Sequence, residues 1–380
     1  MKVGIVTLTG DCNYGQSLQN HALSYCLKKL GVEIKTISLK NEYASFSKYY
    51  NGINKKNIKL VFLRAVYAYY KTFYEYSKEK KRINKQMYFR KKSFDIFNKN
   101  IDFISYNDNK NYNKKFDNFN YIICGSDQIW NMGFVKRHAD FYFAKFVPQQ
   151  KRIAYSASIG TDDIPEDTVE YFSRAVLEFK DISVRENCGA QIIKKYTKRD
   201  VVTTVDPTLL LSAEEWRMAE KITDVKGKYI LTYFLGEKSN ETERYINKIA
   251  KENDCKIINL YGEKYYSVDD SAYNYGPSEF LWLVDNCELM LTDSFHGCCF
   301  SVIFKKPFRW FSRCEEGVSS MNSRIETLFE KLQLDDKFIG NTEEYDGLFD
   351  VDYSKTDELI LKEREFAYNY LKGALNLNEN

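Results

Sequence analysis

The first 39 residues alternate between apolar runs and polar or periodic stretches. KVGIVTL, from Lys2, is a continuous apolar segment of strand length. TGDCNYGQ follows as a polar loop with two glycines. From Gln16 to Leu30, the residues Leu18, Ala22, Cys26 and Leu30 recur every fourth position, with Leu23 and Leu27 beside them. That spacing predicts one apolar helical stripe. Gly31 stands where a helix ends on a left-handed residue. VEIKTISL then returns to a strand pattern, so the unit predicts parallel pairing through a right-handed crossover.

Asn41 to Asn120 breaks this rhythm. Lys55 to Lys92 holds 13 Lys and Arg against 2 Glu, interleaved with Tyr, Phe and Leu, and predicts one or two long inserted helices. Strand patterns resume at YIICG (from Tyr121), RIAYSAS (from Arg152), DISVRE (from Asp181) and DVVTTVDP (from Asp200). Helical patterns lie between them at Pro165 to Phe179 and Gly189 to Tyr196. VDPTLLLSAEEWRMAEK reads as a hinge. A second set of strands starts at Lys228, Cys255, Cys287 and Lys306, with helices at Asn240–Asn253, Pro277–Asn286 and Gly297–Phe304. Ser323–Lys331 and Thr356–Leu375 complete the helical set.

Two successive β/α alternations predict an α/β chain of two Rossmann-like domains facing across a cleft. The expected divisions are residues 1–207, with a basic helical insertion at about 41–120, then 208–350, and a C-terminal helix in 351–380 packing back on the first domain.

Composition narrows the class. Of 380 residues, 44% are hydrophobic and 29% charged, which describes a globular chain. A net charge of +3 is too balanced to mark a nucleic-acid binder. No apolar stretch has the length of a signal peptide or of a membrane span, so a cytoplasmic location is expected. Nine scattered cysteines without a CxxC, and three histidines, predict free thiols and no metal site. GxGxxG after the first strand and GxxxxGK[ST] are both missing, so the dinucleotide and P-loop fingerprints are not met.

Four polar loops follow predicted strands, and so fall at strand carboxyl ends. Asn13, Tyr14 and Gly15 precede a helix start that offers free N–H groups to an anion, or form a turn and cap. Ser126 and Asp127 lie in GSDQIWN. Asp127 suits a general base or a hydroxyl-binding carboxylate with Trp130 as an apolar wall, although a lone Asp more often caps a helix. Arg185 suits bidentate binding of carboxylate or phosphate, or else a surface pair with Glu186. In TDSFHG, Asp293 and Ser294 are candidate caps, and His296 and Gly297 sit at a helix start. Together the loops predict a cleft that takes a small phosphorylated anion on one side and a polyhydroxy acceptor on the other. The residues alone do not select the reaction.

The ordered set NYG-x-x-LQ, GSDQIWN, AYSAS, SVRE, VDPTLLL and TDSFHG resembles the polysaccharide pyruvyl transferase family over roughly residues 1–335. GSDQIWN and DSFHG are specific as a pair. The resemblance implies a GT-B-like fold and transfer of the enolpyruvyl unit of phosphoenolpyruvate onto a sugar as a ketal, with release of phosphate. It implies His296 as the active-site histidine, Arg185 as a ligand of the donor's carboxylate or phosphate, and Asn13, Tyr14 and Gly15 as the first loop. A further basic residue is implied beyond the His, with Arg313 and Arg324 both qualifying. Cys298 and Gln16 stand where the family more often has small residues.

On this reading Asp127 orients or deprotonates acceptor hydroxyls, the first domain is the acceptor side, and no cofactor or metal is needed. The partners are phosphoenolpyruvate and a sugar or lipid-linked oligosaccharide, with no nucleic acid. The basic segment is expected to touch the inner membrane surface, or to be a solvated helical face. The rival readings are a nucleotide-sugar glycosyltransferase of GT-B type and a non-catalytic glycan-binding protein.

Overall fold

The computed structural model of the chain describes residues 1–10, 12–39, 85, 87–107, 114–261, 271–313, 322–334 and 347–377. The basic segment Lys55–Lys92 falls outside them except for Lys85 and residues 87–92.

The first unit carries a seven-stranded parallel sheet. Its strands are β1 (Lys2–Val6), β2 (Glu33–Leu39), β3 (Phe103–Tyr106), β4 (Tyr121–Cys124), β5 (Arg152–Ala157), β6 (Asp181–Val184) and β7 (Val202–Thr203). Their spatial order is β3-β2-β1-β4-β5-β6-β7. β1 pairs on both sides, with Val3 opposite Ile34 and Tyr121. The second unit carries β8 (Tyr229–Phe234), β9 (Lys256–Tyr261), β10 (Leu289–Thr292) and β11 (Phe308–Trp310), ordered β11-β10-β8-β9, again parallel. β5, β8 and β10 are buried along their whole length, as strands covered on both faces must be. The expected pair of Rossmann-like sheets is therefore present.

Helices cover the sheets. They are α1 (Tyr14–Lys29), α2 over residues 87–98, α3 (Met132–Val135), α4 (Ala139–Tyr142), α5 (Val169–Leu177) and α6 (Asn187–Thr197). α7 (Ala213–Arg217), α8 (Asn240–Glu252), α9 (Pro277–Asn286), α10 (Phe295–Ile303), α11 (Ser323–Leu332) and α12 (Ser354–Ala374) follow. α1 stops as its sequence predicts. Gly31 at φ 76° donates to Lys28 O, and Val32 N donates to Leu27 O, which is the paired bonding of a glycine-closed helix.

The break at 41–120 is not wholly helical. FISY forms β3 and extends the sheet edge beside β2, with Ile37 opposite Ile104. α2 is anchored through Arg90, which is fully buried. Its guanidinium donates to the carbonyls of Cys12, Tyr261 and Tyr273 at 3.2, 2.6 and 2.9 Å. One side chain thus ties α2 to the first loop and to the second unit.

One apolar core runs between the two sheets. It joins Val3, Leu18 and Ile123 to Leu231, Phe280 and Phe300. α12 spans both units. Tyr353 OH, just ahead of it, donates to Lys306 O, Arg364 donates to Leu209 O and Leu211 O at 2.6 Å, and Tyr370 OH donates to Ala154 O at 2.7 Å. Separate apolar layers cover the outer faces, around Trp130 and Phe172 on the first sheet and around Ile246 and Leu291 on the second.

In parallel sheets of this kind, ligands bind beyond the strand carboxyl ends where the strand order reverses. Those points are β1/β4 and β8/β10. The loops that leave them face one another.

Candidate active site

A pocket opens between these loops. Asn13, Gln16, Asp127 and Gln128 line it from the first unit. Tyr233, Ser294, Phe295, His296, Arg313 and Arg324 line it from the second, with Leu235 at its edge.

His296 is placed by the start of α10. Ser294 is the N-cap, its hydroxyl accepting from Gly297 N at 3.4 Å, while its own N–H donates to Thr292 Oγ1 at 3.0 Å. Asp293 does not cap the helix as expected. Its carboxylate accepts from Leu235 N and Gly236 N at 2.6 and 2.7 Å, which fastens the loop after β8, and it holds Arg313 Nε at 3.2 Å. His296 is 8% exposed. Its Nε2 lies 3.7 Å from Asp206 Oδ2, a charge contact rather than a formed hydrogen bond.

Arg185 leaves β6 and turns under the pocket. Nη1 donates to Asp206 Oδ2 at 2.9 Å, Nη2 lies 3.6 Å from Asp127 Oδ1, and Nε lies 3.9 Å from Glu186 Oε2. The ring of Phe295 stands 4.4 Å from the guanidinium carbon. The alternative of a surface pair fails, because both Arg185 and Glu186 are buried. Glu186 Oε1 instead accepts from Ser158 Oγ and from the backbone of Ile159 and Gly160. Burial works against the Arg185 charge, but Asp206, Asp127 and Glu186 outweigh it and hold the group above its ordinary value.

Arg324, on α11, is the opposite case. Burial first, and the charge of Arg185 next, push it down to about 10. Its Nη1 and Nη2 lie 3.2 and 3.3 Å from the Gln128 amide oxygen when that oxygen is turned toward them. Arg313 and Arg324, the two candidates for the further basic residue, both reach the pocket.

Asp206 carries the arrangement from below. Oδ2 accepts from Ser126 Oγ and Arg185 Nη1, and Oδ1 from Thr208 N and Oγ1. Burial would raise this carboxyl. Contact with His296 and Arg185, and the Thr208 N–H, hold it well below the usual carboxylate range.

Several buried polar atoms here have no hydrogen-bond partner: Arg324 Nε, and Arg185 Nε and Nη2 and His296 Nε2, which meet carboxylates only at longer range. Buried donors are rarely left unpaired, so a cluster of them beside one pocket marks a place for an acceptor-rich ligand. Their chemistry fits an oxyanion such as phosphate or carboxylate.

Not every candidate comes to the pocket. Tyr14 is fully buried, stacked on Phe280, and donates its hydroxyl to Tyr275 O at 2.8 Å, so it is a core residue. Ser126 is fully buried and holds Asp206 instead of a ligand. Gly297 faces Thr292, whose Oγ1 would stand 2.6 Å from an added Cβ. Trp130 is no pocket wall. It stacks on Phe143 at 5.4 Å inside the outer core. Asn13 lines the pocket and also caps α1, accepting from Gln16 N at 3.2 Å. Asp127 adopts a left-handed backbone at φ 71° and does not cap α3, which Asn131 does.

The residues missed by sequence reasoning are Asp206, Gln128, Tyr233 and Phe295. Asp206 had a signal, since VDP follows β7 and so lies beyond a strand carboxyl end like the other four loops. Among the described residues, no group of three or more His, Cys, Asp or Glu is placed to hold a metal ion. Among them also, no helix is long and apolar enough to cross a membrane.

Two Rossmann-like units of parallel α/β build meet at a pocket beside their switch points, lined by Arg313, Arg324 and His296. The chain belongs to the polysaccharide pyruvyl transferase family, whose model matches residues 13–315, and is accordingly a transferase. No curated protein sequence matches it. Among solved structures it is similar to a Listeria monocytogenes protein described as a UDP-N-acetylglucosamine 2-epimerase. The identity there is 12%, with 99% of this chain and 95% of that one covered, at a TM-score of 0.48. It is also similar to an α-glucosyltransferase in complex with UDP and DNA, at 11% identity, 98% and 95% coverage and a TM-score of 0.48. A third is an Acinetobacter baumannii MurG, at 11% identity, 99% and 98% coverage and a TM-score of 0.40.

Proposed function

We propose that the enzyme moves the enolpyruvyl unit of phosphoenolpyruvate onto a sugar of a cell-surface polysaccharide precursor as a pyruvate ketal, releasing phosphate. The observation that carries this reading is the pocket lined by Arg313, Arg324 and His296, with Arg185 buried beside it and with Arg185 Nε and Nη2 and Arg324 Nε left without hydrogen-bond partners. A donor with a carboxylate and a phosphate supplies the acceptor oxygens they lack.

The residues divide the work. Arg185, Arg313 and Arg324 bind and neutralise the donor's two anionic groups. His296 delivers a proton to the methylene carbon, the C=C electron pair forms the new C–H bond, and an oxocarbenium-like carbon results. One sugar hydroxyl attacks that carbon and gives up its proton. The C–O bond to phosphate then breaks, and the second hydroxyl closes the ketal. Asp127, at the pocket wall of the first unit, is the base for these hydroxyls. Of the two hydroxyl protons, one balances that given to carbon and one leaves with phosphate.

The test is phosphate release from phosphoenolpyruvate in the presence of extracted glycan precursors. The expected result is turnover that His296→Ala lowers by about 100- to 10,000-fold. Consumption of a UDP-sugar without phosphoenolpyruvate overturns the reading.

The same reading places the enzyme in the cytoplasm, at the inner face of the membrane. Support comes from α2, where Tyr88, Phe89 and Ile96 are exposed beside Lys85, Lys92 and Lys99. Co-sedimentation with anionic but not neutral vesicles is expected, and binding unaffected by Lys→Glu changes at those lysines rejects it.

A further inference from the structure

The imidazole of the pocket and its nearest carboxylate come from different units. His296 follows β10, whereas Asp206 follows β7. Asp206 is fully buried, and four donors already hold it: two from Thr208 on Oδ1, with Ser126 and Arg185 on Oδ2. Its orientation is therefore fixed before His296 arrives. Oδ2 then faces His296 Nε2 at 3.7 Å, and Nε2 is buried without a hydrogen-bond partner. The backbone at Gly15 packs the ring from another side. The ring is thus held between two groups of the first unit while its own backbone belongs to the second.

An ionised carboxylate accepts and cannot donate. A ring nitrogen facing one keeps its hydrogen, which settles the tautomer. We infer that Asp206 is the positioning residue of His296: its carboxylate faces Nε2 at 3.7 Å, favours the hydrogen on that nitrogen, and leaves Nδ1 to exchange the proton with a molecule in the pocket. This rests on the reading of His296 as the proton donor.

The proton count closes. The charged ring holds hydrogen on both nitrogens. It gives the Nδ1 hydrogen to the methylene carbon and becomes the neutral Nε2–H form that Asp206 favours. It regains the Nδ1 hydrogen from solvent, which in turn receives the hydroxyl proton that Asp127 removes.

Asp206 stays ionised throughout, because His296 and Arg185 hold it well below the usual range. The other charges near this pair are Asp127 and Glu186, which face Arg185, together with Arg324 and Arg313 across the pocket. A purely structural Asp206 would act only through Arg185. Its loss would then weaken anion binding and leave the imidazole as it was.

The experiment is nitrogen NMR on the full chain labelled with 15N-histidine. The three imidazoles are His21, His138 and His296, assigned by single substitutions. In the parent the neutral His296 ring is expected to carry its hydrogen on Nε2, and in Asp206→Asn the His296 ring signals are expected to move. Turnover of Asp206→Asn should fall by at least about 100-fold in kcat, with KM for phosphoenolpyruvate changing by less than about threefold. Unmoved ring signals, or a loss confined to KM, overturn the proposal. If the variant does not fold, the parent spectrum decides alone, since hydrogen on Nδ1 of the neutral ring overturns it. If the parent releases no phosphate from phosphoenolpyruvate, the functional reading fails, and the ring signals still judge the contact with Asp206.

Discussion

Gly15 lies against the imidazole of His296. A Cβ at position 15 would stand 2.1 Å from Nδ1, 2.5 Å from Cε1 and 2.7 Å from Cγ. Gly15 is the second residue of α1, where no turn calls for a glycine. The glycine of NYG is therefore required by the ring from the other unit. Gly15→Ala is expected to displace that ring from Asp206 and cut kcat about 10- to 100-fold. Crowding should also cost about 1–3 kcal/mol of stability. Steady-state kinetics beside a thermal melt checks both, and an unchanged kcat refutes the placement of His296.

Arg324 carries its charge at a cost. Burial and Arg185 lower it from its ordinary value to about 10, which corresponds to roughly 3 kcal/mol against the charged form. The native state binds this proton less tightly than the unfolded chain does. At neutral pH the charged group therefore subtracts stability, and the penalty fades as pH rises above about 10. A bound anion should offset it. Arg324→Met is expected to melt no lower than the parent without ligand. Phosphate or phosphoenolpyruvate should raise the melting temperature of the parent by more than twice the rise in the variant. Differential scanning fluorimetry measures this, and a ligand-free variant that melts well below the parent contradicts it.

Most of the fold was legible because its signals are local. The stripe Leu18, Ala22, Cys26 with Gly31 after it needed no tertiary information, nor did the apolar CELML before the His296 loop. Side-chain direction within polar loops was not legible. Asn13 reaches the pocket, Tyr14 points into the aromatic core and Gly15 meets the imidazole, although they are consecutive. Only packing against α9 and α10 decides among them. Asp206 does not stand out within the hinge sequence because its partners Ser126, Arg185 and His296 are all remote along the chain. β3 was hidden in a basic stretch because four edge residues give no periodic signal.

Arg90 does not stand out among 13 basic residues in the sequence, yet among the described ones it is the one that is buried. Arg90→Met should lose its three hydrogen bonds to the carbonyls of Cys12, Tyr261 and Tyr273 while keeping apolar bulk against Tyr14 and Phe94. A destabilisation of about 3 kcal/mol is expected from the three bonds together. Urea unfolding of parent and variant at one pH measures it. A loss below about 0.5 kcal/mol would show that α2 is held by its apolar contacts alone.

Glu220 gives the chain a pH dependence away from the pocket. Burial first, then the charge of Asp285, push its carboxyl up to about 7. Arg217 pulls the other way but is engaged in two bonds to Asp285, at 2.8 and 2.9 Å. For an acid raised in the native state, the folded form holds its proton more tightly than the unfolded chain. Stability therefore falls as pH rises from about 4.5 through about 7 and is flat beyond. The full shift would amount to roughly 3 kcal/mol, and partial exposure to solvent reduces this to about 1 kcal/mol. Glu220→Gln removes the titration while keeping the shape. The variant should be more stable than the parent by about 1 kcal/mol at pH 8, with the gap closing at pH 5. Urea midpoints at the two pH values provide the comparison. An equal gap at both would mean that the effect of the substitution is not the charge of Glu220.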